Sequence, residues 1–222
     1  MSHWHHPLEM KRHTQDGCQL AALMKGLPPR KGMKAIDVGC GDGIIIFEML
    51  RLQKATEVVG IDILAGAIKA AENNLADPVN HGRVQLYKIS ASRFFRNKKH
   101  WDLYDQFVIN PPFFSLGSGT ENKKNLDQVA RHEGSLSLRV WAQGAKRLLK
   151  TGGELYCVFP SERLAECFSV LSSCGVEPKE LWWLKADKKK RRFFLRAVRG
   201  GRPGLKINFE TVLKGVSQGK NG

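Results

Sequence analysis

Short apolar runs rich in β-branched residues alternate along most of the chain with longer stretches of helical periodicity. This alternation predicts a mostly parallel sheet with helices on both faces. The first strand is read at Lys34–Val38 and the second at Glu57–Asp62, with helices at about 44–52 and 65–75 following them. Asp77-Pro78 marks the end of the second helix, and Asn80-His81-Gly82 forms a turn. A third strand is expected at Val84–Ile89 and a fourth at Gln106–Asn110, which runs into two prolines that stop it. The polar, glycine-bearing segment Ser115–Asn125 reads as a mobile loop. A helix at about 136–149 ends at Thr151-Gly152-Gly153, a fifth strand covers Glu154–Phe159, and a helix at about 164–174 stops at Gly175. Glu180–Leu184 and Arg192–Val198 complete an expected seven-stranded sheet. One domain over residues 1–222 is expected, with an N-terminal extension to about residue 33 and a frayed tail from about residue 212.

Composition narrows the class without naming a chemistry. The chain has 222 residues, 42% of them hydrophobic, enough for a substantial core. No apolar run approaches the ~20 residues of a membrane span, and Met1–His6 lacks a signal-peptide pattern, so a cytoplasmic protein is expected. The five cysteines are odd in number and form no Cys-x-x-Cys pair, so neither a disulfide framework nor a zinc site is expected. His3, His5 and His6 read as a surface tail, with no metal implied.

The glycine-rich stretch Asp37-Val-Gly-Cys-Gly-Asp-Gly43 changes the picture. It leaves the first strand and enters a helix, and Gly39, Gly41 and Gly43 let the backbone approach a ligand closely. Phosphate-binding loops share such glycines. Asp37 separates the cases: a carboxylate at that point repels phosphate and attracts the ammonium of a methionine moiety. Asp62 ends the second strand, about 20 residues on, where a carboxylate accepts hydrogen bonds from ribose hydroxyls. Together they predict an S-adenosyl-L-methionine site formed by Asp37, Gly39, Cys40, Gly41, Gly43, Asp62 and Ile63. Ser90 is expected to accept from the adenine amino group, at a position where this kind of fold often carries an acid.

Asn110-Pro111-Pro112-Phe113 follows the fourth strand, at the sheet edge where open α/β folds bind ligands. A planar amino group conjugated to a ring or carbonyl is a poor nucleophile. The Asn110 side-chain carbonyl and a backbone carbonyl at Pro111 can each accept one of its N–H bonds and aim its lone pair. Pro111 and Pro112 hold those carbonyls rigidly, and Phe113 offers a face for stacking a base. Asn110 also borders the cofactor.

Together, Asp37-x-Gly-x-Gly-x-Gly43, Asp62 and Asn110-Pro-Pro-Phe113 resemble the class I N-methyltransferases, a Rossmann-like fold. More narrowly the chain resembles the bacterial tRNA1(Val) adenine-37 N6-methyltransferases. That match rests on Thr14-Gln-Asp-Gly17, on Ala130-Arg-His-Glu133 with Leu136-Ser-Leu138, and on Gly200-Gly-Arg-Pro-Gly204 with Leu205. It extends over about residues 14–209. The resemblance implies transfer of a methyl group to the adenine beside the anticodon of a tRNA.

The net charge of +15 and pI near 9.8 agree with a polyanionic partner such as tRNA or another RNA. Lys123, Lys124, Arg131 and the run Lys188, Lys189, Lys190 and Arg191 are expected to contact it, with Arg192 closing that run. Lys98, Lys99, Arg139, Lys146, Arg147, Arg196, Arg199 and Arg202 add to the excess. No membrane partner is expected, and a monomer is favoured. A protein-glutamine N5-methyltransferase would use the same Asn-Pro-Pro chemistry, and a non-catalytic RNA-binding protein could share the fold.

Overall fold

The computed structural model describes residues 14–24, 32–111, 137–184 and 192–208. Its strands are β1 (Lys34–Val38), β2 (Glu57–Asp62), β3 (Val84–Lys88), β4 (Tyr104–Ile109), β5 (Leu149–Pro160), β6 (Val176–Leu184), β7 (Arg192–Arg199) and β8 (Lys206–Asn208). They form one sheet in the order β3-β2-β1-β4-β5-β7-β6-β8. β7 runs antiparallel between β5 and β6, while β1 to β5 are mutually parallel. The chain order reverses direction beside β1, so the carboxyl ends of β1, β2 and β4 open the crevice in which such sheets bind ligands.

Alternation along the strands divides the core in two. Phe107 and Ile109 of β4, and Leu155, Cys157 and Phe159 of β5, face α5 (Ala91–Phe94), α6 (Leu138–Leu148) and α7 (Leu164–Ser173). Val108, Tyr156 and Val158 face the other way, against α1 (Thr14–Leu23), α2 (Ile44–Arg51) and α3 (Ala65–Asn74). The period-2 pattern therefore fills both faces, as a parallel sheet buried on both sides requires.

The architecture agrees with the expected α/β sheet, with several local differences. An eighth strand, β8, adds to the outer side of β6 by parallel pairing, Leu181 with Ile207. α1 was not expected as a helix. Asp77-Pro78 does not end helical structure: Ala76–Asn80 forms a further short helix, α4. Its proline lies in a first turn, where a missing N–H costs nothing. The Gly152-Gly153 signal ends no helix either. Leu149 already pairs with Tyr104, residues 150–153 bulge out, and pairing resumes at Glu154 with Gln106. Trp182 and Trp183 of β6 are both half-buried, and Trp182 packs on the α1–α3 core. Among the described residues no helix is long and apolar enough to cross a membrane.

Candidate functional site

The loop between β1 and α2 is held by its own backbone. The Gly39 and Cys40 amides both donate to the Ile61 carbonyl, at 2.8 and 3.0 Å, tying the loop to β2. The Gly41 amide donates to Asp62 Oδ2 at 3.0 Å, and the Leu64 amide to Oδ1 at 2.9 Å, which fixes the Asp62 carboxylate. The glycines serve different ends. Gly39 has φ +76°, and a Cβ there would meet nothing within 4 Å, so its open side is toward the crevice. Gly43, at φ +85°, packs inward: a Cβ would lie 2.6 Å from Leu75 Cδ1. Cys40 is buried, its sulfur against Gly60, so the thiol faces the core and only its backbone borders the loop.

Asp37 is the unusual residue. Its side chain is fully buried, and neither carboxylate oxygen has a hydrogen-bond partner. Burial, reinforced by Asp62 and then Asp42, pushes its acid up to about 8. A buried acid left without partners beside two further carboxylates makes a strongly cation-seeking pocket.

Strand register lines up the remaining residues. Val38 pairs with Ile61 on one side and Ile109 on the other, and Asp62 pairs with Lys88. Ser90, Asp62 with Ile63, Gly39, and Asn110 therefore follow one another along the carboxyl edge, at the ends of β3, β2, β1 and β4. At ~4.8 Å per strand the row spans about 14 Å. Ser90 precedes α5, and its hydroxyl makes no capping bond. Ile63 is exposed, presenting an apolar surface beside Asp62. Asn110 is half-buried and Pro111 buried, directly after the fully buried Ile109. Pro112, Phe113, Lys123, Lys124, Arg131, Lys188, Lys189, Lys190 and Arg191 lie outside the described residues.

The sequence reading missed what the Thr14–Gly17 segment does. It begins α1, whose Leu20 and Ala21, with Met24 just past its end, are buried against the sheet. Gly17 lets α1 touch α2: a Cβ there would lie 2.9 Å from Ile45 Cγ1. Asp16 forms an ion pair with Arg192, the first residue of β7. Because β7 is antiparallel, its start lies at the carboxyl edge, so this pair holds the beginning of α1 at the rim of the crevice. The spacing Gly17, Leu20, Ala21, Met24 is helical and was legible in the sequence. Among the described residues no cluster of three or more His, Cys, Asp or Glu side chains could hold a metal ion.

The family model of the methyltransferase small domain matches residues 12–173. A tRNA1(Val) (adenine(37)-N6)-methyltransferase of Parabacteroides distasonis is 30% identical over 178 residues, 79% of this chain and 70% of the relative. The enzyme of that name from Yersinia enterocolitica is 31% identical over 159 residues, 71% of this chain and 60% of the relative. Among solved structures, a predicted O-methyltransferase from Agrobacterium tumefaciens superposes with a TM-score of 0.59 at 18% identity, covering 86% of this chain and 84% of that one. Geranyl diphosphate methyltransferase in complex with S-adenosylmethionine gives 0.57 at 11% identity, covering 84% and 85%. At these identities the solved structures share the fold.

Proposed function

This chain belongs to the methyltransferase small-domain family, and from that premise we propose that it is an S-adenosyl-L-methionine-dependent enzyme that methylates N6 of an adenine in tRNA. The observation that carries the reading is the ordered row along the carboxyl edge, with partnerless Asp37 beneath the glycine loop and Asn110 directly after the neighbouring strand. The residues present fit the cofactor. Asp37 would take its ammonium, the Gly39–Gly41 backbone its amino-acid chain, Asp62 its ribose hydroxyls, Ile63 an adenine face and Ser90 the adenine amino group. When bound, the cofactor supplies an electrophilic methyl group on a sulfonium.

The protein's own contribution is position. Asn110 Oδ1 and the Pro111 carbonyl accept the two N6–H bonds of the target adenine, which draws the nitrogen lone pair out of conjugation and toward the cofactor side. Pro111, locked at its φ and buried, keeps that carbonyl from yielding. Transfer would break the methyl–sulfur bond of the cofactor, leaving a neutral thioether, and one of the two held protons would pass from N6 to water once the new C–N bond has formed. Phe113 would stack on the extruded base. The net charge of +15 suits an RNA substrate, and the relatives' names support adenine-37 of tRNA1(Val) as the target.

The test is nucleoside mass spectrometry of tRNA incubated with the protein and isotopically labelled cofactor. Labelled N6-methyladenosine is expected. Asn110→Ala is expected to lower kcat by about 10²–10³ while the folded state persists. A label in a different nucleoside, or in a glutamine of a release factor and not in RNA, would overturn the proposal.

A further inference from the structure

The opposite, amino-terminal edge of the sheet carries a surface that the proposed site leaves unused. α6 runs antiparallel to the strands, from the crevice back to this edge. Arg139, Gln143, Lys146 and Arg147 are its exposed positions, at spacings of four, three and one, and α6 holds no acidic residue. Arg139 lies near the crevice end. Lys146 and Arg147 lie at the far end, about 10 Å away at 1.5 Å per residue.

There the stripe meets Trp101, in the turn that leads to β4. Its indole N–H donates to the Phe95 carbonyl at 3.0 Å, which fixes the ring. Lys98 Nζ and the Arg147 guanidinium lie 5.8 and 5.7 Å from the ring centre. Trp101, Gln143, Lys146 and Arg147 line a depression of about 340 Å³ with Asp102 and Arg199. Asp102 is neutralised there by Arg199. Lys98, Lys99, Lys146 and Arg147 have no carboxylate partner among the described residues, so their charge remains available to a polyanion.

We propose that the outer face of α6, ending at Trp101 with Lys98 and Arg147, is a second RNA-docking track that grips the phosphate backbone of the substrate away from the methylated base. The inference rests on the tRNA reading above. A rigid aromatic that orients two cations, at the end of a helix face with three cations and no acid leading from the carboxyl edge, fits a strand of phosphates better than a scattered solubilising surface. The length of the stripe matches two to three phosphates.

The experiment measures tRNA binding against salt, with cofactor binding and kcat in parallel, for the wild type and for a triple variant with Arg139→Gln, Lys146→Gln and Arg147→Gln. All three positions are exposed, so folding is preserved. The triple variant is expected to bind tRNA at least tenfold more weakly near physiological salt, with a log–log salt slope shallower by about two to three. Its kcat at saturating tRNA and its cofactor affinity should match the wild type. Trp101→Ala should weaken binding by roughly threefold by releasing the two cations. A triple variant with wild-type slope and affinity, in a protein that methylates tRNA, overturns the track alone. A wild type that loses tRNA affinity in the triple variant but methylates no RNA overturns the function and leaves the track standing. A wild type that binds no tRNA overturns both.

Discussion

At the scale of single residues, Asp37 is an acid buried without partners at the expense of stability. In the folded chain its acid keeps a proton up to about pH 8, whereas in the unfolded chain the same carboxyl ionises near its ordinary value of about 4. Between those values unfolding releases a proton. Stability is therefore greatest below about pH 4 for this group and falls as pH rises through the window to about 8, by up to roughly 1.4 kcal/mol per pH unit. Thermal melts from pH 5 to 8.5 should show this decline in the wild type and a flatter profile in Asp37→Asn. An identical decline in the variant would assign it to another group. The same variant should bind the cofactor at least about tenfold more weakly. Near pH 7 the wild type should release a proton on binding, because an ammonium beside Asp37 favours the carboxylate; calorimetry in buffers of different ionisation heat reads that proton. The placement of Asp37, Asp62 and Asn110 at or just beyond strand ends was legible from motif and spacing, since alternation and the residues that stop a strand are local signals. The isolation of Asp37 was not, because burial and missing partners are properties of the packed chain.

At the scale of elements, close contacts decide more than propensity does. Gly144 is in the interior of α6, where alanine ordinarily gains about 1 kcal/mol. A Cβ at Gly144 would collide with the ring of Phe95, which is itself buried. Overpacking of that kind costs about 1–3 kcal/mol, so Gly144→Ala should lower Tm by several degrees; a raised Tm would show that α6 can shift freely. Gly17→Val should act differently. It pushes α1 off α2, and with it Asp16 away from Arg192, so cofactor affinity should fall along with Tm. Unchanged cofactor affinity in that variant would place α1 outside the site. The strands of the parallel half were readable because alternation and β-branching are local signals. α1 was passed over because its polar start obscured a four-residue buried stripe. The start of β5 was mistaken for a helix stop because two glycines bulge there within a strand, a choice made by pairing with β4 across the sheet.

At the scale of the whole molecule, the charge of +15 was visible from composition, but its arrangement was not. Glu154 and Glu180 both bind Arg196, and Asp105 binds Lys150, so part of the basic excess is consumed internally. The basic face of α6 and its end at Trp101 come together only once the loop before β4 meets the helix that precedes β5. The eighth strand is equally a product of the folded whole, because three residues have too little pattern to be read alone. Its position has a consequence for the protein in concentrated solution. β8 covers the outer hydrogen-bonding side of β6 along Glu180–Trp182, a stretch that ends in half-buried Trp182 and is followed by half-buried Trp183. Without it that side would be an open template for another chain. Ile207→Pro should therefore leave the melting curve nearly intact yet raise concentration-dependent light scattering; clear solutions at high concentration would mean that β6 needs no cover. Three residues at the end of the sheet would then do less for the stability of one molecule than for its separation from the next.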